Sequence, residues 1–363
     1  MKRLLTVLAL GLCVAAGYAQ GKAQQVADIR KMYADAKKQI DQNGKNGMAP
    51  LDMTIQVNNG TEIDKDFTLD QQSTLTFYFN KYRINSNLDY PDASSCYFIT
   101  EQWEADGHTR YREFLFDPNE GGLLFAFMKS ETHAGFAVET RYYYDGNGKL
   151  VDQRHKVNGE NVKSGTHTWN DAQSEKDAAH RLIGIFDTMM NPPSKTTATT
   201  AKNTQTTPKA DRMKTIRSTY AKAKDMVAKN GKEHEGKDIS ITVHDQSWGP
   251  PMTQQVKFYF DSVNKGDESR SHCYFISEHR HHNRMGPDSY AEYLLAPTSH
   301  DLIFSYTKAN EEGNTYEWRY YFDENGRCIE TKTASDTSDD GRGDKQTVSR
   351  YVKLFDAIVD IAL

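Results

Sequence analysis

At 363 residues the chain is long enough for two domains of ordinary size. Its formal net charge of -5 and pI near 6.2 exclude the basic footprint that nucleic acid or an anionic membrane surface demands. Mean hydropathy is -0.78, yet 20 Tyr and 16 Phe carry much buried area per residue, so aromatic-rich sheet cores under a polar surface are expected rather than disorder.

In chain order, Lys2 and Arg3 give a charged end, and Leu4 to Ala16 an apolar run too short to span a bilayer. Gly17-Tyr18-Ala19 supplies small residues at cleavage positions, so residues 1–19 are expected to be a signal peptide and Gln20 the first mature residue. Cys13 lies inside the apolar run behind Leu12, which argues against a lipid anchor. The leader resembles those of Gram-negative exported proteins and implies the periplasm or the extracellular space. No later segment is apolar enough to hold the chain in a membrane after cleavage.

Val26, Ile29, Tyr33, Ala36 and Ile40 form one helical stripe that stops at Asn43-Gly44. Strand-like segments follow at Asp52 to Val57, Thr74 to Phe79, Ser95 to Glu101, Tyr111 to Phe116 and Leu123 to Lys129. Pro118 ends the fourth, since proline cannot donate to a ladder. Glu139 to Tyr144 and the strand through Val151 then read as a hairpin, with Asn147-Gly148 supplying the positive φ of its turn. Leu182, Ile185, Phe186 and Met189 make a closing helix, stopped by Pro192-Pro193.

The same order then returns. A stripe of Ile216, Tyr220, Ala223 and Val227 precedes strands at Asp238 to Val243, Val256 to Phe260, His272 to Glu278, Tyr290 to Leu295 and Leu302 to Lys308. Glu317 to Phe322 and Asn325-Gly326 repeat the hairpin, and Tyr351, Leu354, Phe355 and Ile358 the closing helix. The predicted fold is α+β, a tandem duplication. Each half is a curved antiparallel meander of about seven strands covered by an N-terminal and a C-terminal helix. The expected domains are residues 20–190 and 211–363. Between them residues 191–210 are a Thr/Lys/Pro linker without a large apolar residue after Pro193. The hairpin is similar to those of many secreted repeat proteins, a likeness of about a dozen residues per copy that names no family.

Alternation places Phe136, Val138, Thr140, Tyr142 and Tyr144, and Tyr316, Trp318, Tyr320 and Phe322, on the core side of the hairpin. The opposite side carries Glu139, Arg141 and Tyr143, matched by Glu317, Arg319 and Tyr321. If Glu101 and Glu113, and Glu278 and Glu292, face the same way, each half bears a patch of carboxylates, an Arg and a Tyr. This reads either as cross-strand charge pairing on a solvated face or as a polar binding groove, with acid/base chemistry between carboxylates as the enzymatic variant. The patch occurs twice and lacks a shared His or Cys, which speaks against catalysis.

His279, His281 and His282 could ligate a metal, although Gln102 and Glu104 stand at matching places in the first half, which favours an adventitious run. Asp336 to Gly341 has a faint calcium-loop look but lacks the bidentate Glu. Arg342-Gly343-Asp344 carries no weight on its own. No motif for a cofactor is present. Of the mature cysteines, Cys96 and Cys273 match each other and read as small buried hydrophobes, with a Cys273–Cys328 bridge as the alternative. The expected function is an exported, non-catalytic binding protein whose ligand is a glycan or an extracytoplasmic protein. A secreted hydrolase using Glu residues of one sheet face, or an envelope enzyme inhibitor, is the alternative.

Overall fold

A computed structural model describes residues 21–45, 51–64, 67–82, 93–105, 108–118, 120–131, 135–163, 171–191, 208–230, 237–245, 252–265, 268–282, 288–297, 299–311, 313–333 and 340–362. The predicted leader, most of the 191–210 linker and residues 336–339 lie outside them. Among the described residues no helix is long and apolar enough to cross a membrane.

The first half contains α1 (Lys22–Gln42), β1 (Asp52–Asp64), β2 (Phe67–Tyr82), β3 (Ala93–Ala105), β4 (His108–Phe116), β5 (Leu123–Glu131), β6 (Ala137–Tyr144), β7 (Leu150–Val157), β8 (Glu160–Val162) and α2 (Ala172–Met190). The second contains α3 (Lys209–Lys229), β9 (Lys237–Asp245), β10 (Met252–Lys265), β11 (Glu268–His282), β12 (Asp288–Leu295), β13 (Leu302–Glu311), β14 (Asn314–Phe322), β15 (Cys328–Thr333) and α4 (Arg342–Ala362). Every strand pair is antiparallel, as short connections require.

The described strands form one fifteen-stranded sheet. Each half is a meander, and the two meet where β1 pairs with β9, in a register that sets Ile55 opposite Ile241. The described residues therefore share a single ladder from β15 to β8. The hairpin turns follow the sequence reading. Gly148 and Gly326 both have φ of +71°, and Asp145 and Asp323 each accept two backbone N–H groups of their turn.

The helices flank the sheet on opposite sides, so the expectation of one core side and one solvated side is corrected. On one face α2 and α4 pack against each other and against both halves. Phe186 lies between Phe77 and Phe79 with centroids at 6.1 and 5.6 Å, and Phe355 between Phe258 and Phe260 at 6.0 and 5.6 Å. Thr140, Tyr142 and Tyr144 are buried on this face, as are Tyr320 and Phe322. Phe136 precedes β6 and is exposed.

The other face is covered in two separate places. There α1 buries Val26, Ile29 and Ala36 on Phe98, Leu115, Phe125 and Tyr143, while α3 buries Met213, Ile216 and Ala223 on Phe275, Leu294, Phe304 and Tyr321. A row of bulges makes these apolar patches. Register slips by one residue between Tyr78/Phe79 and Cys96/Phe98, between Leu115/Phe116 and Leu123/Phe125, and between Tyr143/Tyr144 and Leu150/Asp152. The extra residues, Tyr97, Leu124 and Val151, join the cluster beneath α1. The second half repeats the slips, placing Tyr274, Ile303 and Ile329 beneath α3. A bulge lets two consecutive side chains serve one face and bends the sheet there.

Candidate functional site

Each N-terminal helix is tied to the sheet by one buried carboxylate. Glu113 accepts from Tyr33 Oη, from Lys37 Nζ at 2.9 Å and from Tyr111 Oη at 2.6 Å. Glu292 accepts from Tyr220 Oη, from Lys224 Nζ at 2.5 Å and from Tyr290 Oη at 2.5 Å. Burial first, then the carboxylate, push the Tyr33, Tyr111, Tyr220 and Tyr290 phenols well above their usual range, so they remain donors. This cage anchors the helix without presenting a free carboxylate.

Beside each cage lies a recess between helix and sheet. The first has a volume of about 470 Å³ and is walled by α1 (Arg30, Tyr33), β5 (Phe125, Phe127) and β6 (Arg141, Tyr143), and further by Arg154, Lys156 and Asn161. The second, about 190 Å³, is walled at matching positions by Arg217, Tyr220, Phe304, Tyr306, Arg319 and Tyr321. Guanidinium groups lie over aromatic faces in both. Arg141 is 4.9 Å from the Phe127 centroid and Arg319 is 5.1 Å from that of Tyr306. Arg30 donates to Tyr143 Oη at 3.3 Å and lies 5.6 Å from its ring; Arg217 lies 5.9 Å from that of Tyr321. Glu139 and Glu317 orient the strand arginines at 2.9 and 2.8 Å.

The structure therefore brings Arg141, Tyr143, Arg319 and Tyr321 to recess walls. It places Glu139 and Glu317 behind the arginines, and Glu113 and Glu292 in the cages. Glu101 and Glu278 do not join them. In the ladder Thr100 is opposite Glu113 and Glu101 opposite Arg112, so Glu101 points to the other face. There it meets Arg112 at 2.8 Å, which stacks 4.5 Å from the Trp103 centroid and lies 3.8 Å from Glu175. Burial raises the Glu101 carboxyl, and Arg112 opposes the shift. Glu278 accepts from Gln254 at 2.7 Å and Arg280 at 2.5 Å on the same α2/α4 face. The expectation that the carboxylates share a side is thus corrected.

Arg30 and Arg217 escaped the sequence reading, as did Phe127 and Tyr306. Ile-Arg-x-x-Tyr-Ala-x-Ala-Lys occurs in both α1 and α3, and its Arg and Lys are not needed by an apolar stripe. That was the available signal.

The histidine segment does not assemble a metal site. Among the described residues no group of three or more His, Cys, Asp or Glu side chains is arranged for one. His279 stands edge-on to Tyr290, His281 Nδ1 is 2.8 Å from Asp288, and His282 pairs with Met252 in the ladder. Asp340, at the end of the acidic run, accepts from the Arg342 N–H, and Asp344 accepts from Ser305 Oγ at 2.6 Å within the first turn of α4. Cys96, Cys273 and Cys328 are free thiols, so the Cys273–Cys328 bridge is not formed. Burial pushes the Cys96 and Cys273 thiols up.

Two histidines make stability fall on acidification. His155, against Thr140 at 3.1 Å, is held below 6.5 by burial. His272 is lowered by burial and then by His300, whose ring lies 4.4 Å away. His300 has φ of +57° where the first half has Gly121, and its Nε2 accepts from the Cys273 N–H at 3.2 Å. Below the unfolded value the unfolded chain binds protons that the native histidines refuse, so stability is lost as pH falls through that window. Asp261 and Asp356, raised by burial, oppose the loss only in the carboxylate range. The unfolding midpoint is expected to drop between about pH 7.5 and pH 5.5, and His155→Gln with His272→Gln to flatten the drop; an unchanged slope refutes the assignment.

Comparison with protein-family models, with curated proteins and with solved structures finds no match for this chain.

Proposed function

We propose that the chain is an exported, non-catalytic binding protein built from two homologous units by duplication, and that each unit takes its ligand in the recess between its N-terminal helix and the sheet. The observation that carries this reading is the recurrence of the recess walls: Arg30 and Arg217, Arg141 and Arg319, Tyr143 and Tyr321. The combination of apolar contact and carboxylate cage already holds α1 and α3 down. It has no use for arginines stacked on rings beside an open volume, whereas a sugar does, through hydroxyl groups and an apolar face. Two weak sites on one rigid sheet suit a repetitive glycan, since the second contact forms at raised effective concentration. A hydrolase drawing on Glu113 or Glu292 would first have to free it from three donors.

The test is binding to a panel of immobilised polysaccharides. Arg141→Ala or Arg319→Ala alone should weaken retention about 100-fold, and both together should abolish it, with the unfolding midpoint unchanged. Retention indifferent to both substitutions sinks the proposal.

A further inference from the structure

The two recesses match in outline but not in charge. Arg30, Arg141, Arg154 and Lys156 line the first, and among the described residues no carboxylate does; in the second the cations are Arg217 and Arg319. Some of the first recess's charge is answered nearby. Glu139 holds Arg141 at 2.9 Å, and Asp152 holds Arg154 at 2.9 Å while also meeting Lys22 at 3.1 Å. Arg30 and Lys156 have no carboxylate within ion-pair distance among the described residues. Of the four cations that line the cavity, two are held by a carboxylate and two are not.

The ladder sets Glu139 opposite Lys156 but leaves two cations face to face. Arg141 and Arg154 are directly opposite on β6 and β7, a like-charge pair that a sheet disfavours. Arg319 faces Lys332 in the second half, but Lys332 does not line its recess. The β7–β8 hairpin supplies the remaining difference. It sets Lys156 and Asn161 as a further wall, and no described strand follows β15 to do the same. The result is a larger cavity bounded by planar guanidinium donors, an ammonium group and an amide. Guanidinium pairs match the two oxygens of a carboxylate or sulfate, and an anion placed between Arg141 and Arg154 relieves their repulsion.

We infer that the recess between α1 and β5–β8 is an oxyanion subsite that takes an acidic sugar residue, one bearing a carboxylate or a sulfate, while the α3 recess takes a less charged residue of the same polymer. This rests on the binding reading above and deepens it. The volume of about 470 Å³ lies within the range of small-molecule sites and holds one sugar ring with its acidic group.

The experiment compares a polyuronate, a sulfated polysaccharide and a neutral glucan on the unmodified chain, on Arg154→Gln/Lys156→Gln and on Arg141→Ala/Arg319→Ala, with inorganic sulfate as competitor. Neither Arg154 nor Lys156 contacts the helix anchor, so the unfolding midpoint should not fall, and Lys156→Gln alone serves if it does. The first variant should weaken retention of an acidic polymer at least about tenfold without changing the glucan, and the loss should grow smaller as salt screens the site. Whether the polyuronate or the sulfated polymer is held more tightly identifies the acidic group. Sulfate should compete in either case. Equal retention of neutral and acidic polymers overturns the oxyanion assignment. So does acidic binding that ignores Arg154→Gln/Lys156→Gln, or a failure of every acidic probe. If Arg141→Ala/Arg319→Ala still abolishes glucan retention, the two-recess reading survives that failure; if it moves nothing, both fall.

Discussion

Ile241→Pro is expected to unfold the whole chain in one step, not the second half alone. Ile241 is fully buried in β9, opposite Ile55 of β1 on one side and Val256 of β10 on the other. Proline removes its N–H from an interior ladder and its ring clashes with the pleat, at a cost of roughly 3 kcal/mol or more. The lost branched side chain adds a cavity beneath α2 and α4, which pack across the seam. Together these approach the total stability of an ordinary domain, about 5–15 kcal/mol. Because β1 and β9 share hydrogen bonds and α2 rests on α4, the loss has no boundary at which to stop. Circular dichroism and near-ultraviolet absorbance should follow one transition in the parent and neither native baseline in the variant. A surviving transition of about half the amplitude would mean that the halves are independently stable.

The second large effect is at the cages. Glu113→Ala and Glu292→Ala each remove one carboxylate and leave two phenols and an ammonium group without their acceptor. Glu113 and Glu292 are almost fully buried. Breaking such a group from one side costs about 3 kcal/mol, most of it from stranded donors. Lys37 and Lys224 are partly in water and contribute the smaller share. Glu113→Gln keeps an acceptor for one phenol and should lose less. Proteolysis provides the local reading: α1 should be cut first in Glu113→Ala and α3 first in Glu292→Ala. If alanine and glutamine variants unfold alike, the cage is not what holds the helices.

The order of the elements was readable because alternation and the three-to-four step are strong over these lengths. The stripe of Leu182, Ile185, Phe186 and Met189 and the turn at Asn147-Gly148 both appear where they were expected. The two-sided covering was not. Tyr142 and Tyr143 are both aromatic and both buried, so alternation of hydrophobicity fails at the very strand that carries the recess. The bulges compound this, since Tyr97-Phe98 and Leu124-Phe125 set neighbours on one face. Nor does any residue of β1 or β9 announce its partner: Met53, Ile55 and Val57 and Ile239, Ile241 and Val243 look like any half-buried strand. The sides taken by Glu101 and Glu113 depend on inter-strand register, which a single strand does not encode. The arginines of the recess were legible one by one but not as neighbours, because α1 and β6 lie more than a hundred residues apart.

The matched free thiols give the molecule two internal clocks. Cys96 belongs to β3 and Cys273 to β11, each sealed from solvent on its own side of the seam. A sulfhydryl reagent can reach either only when the surrounding layer opens, so the two alkylation rates, resolved by peptide mass, time the breathing of each side separately. Equal rates at every denaturant concentration are the signature of a sheet that opens as one body.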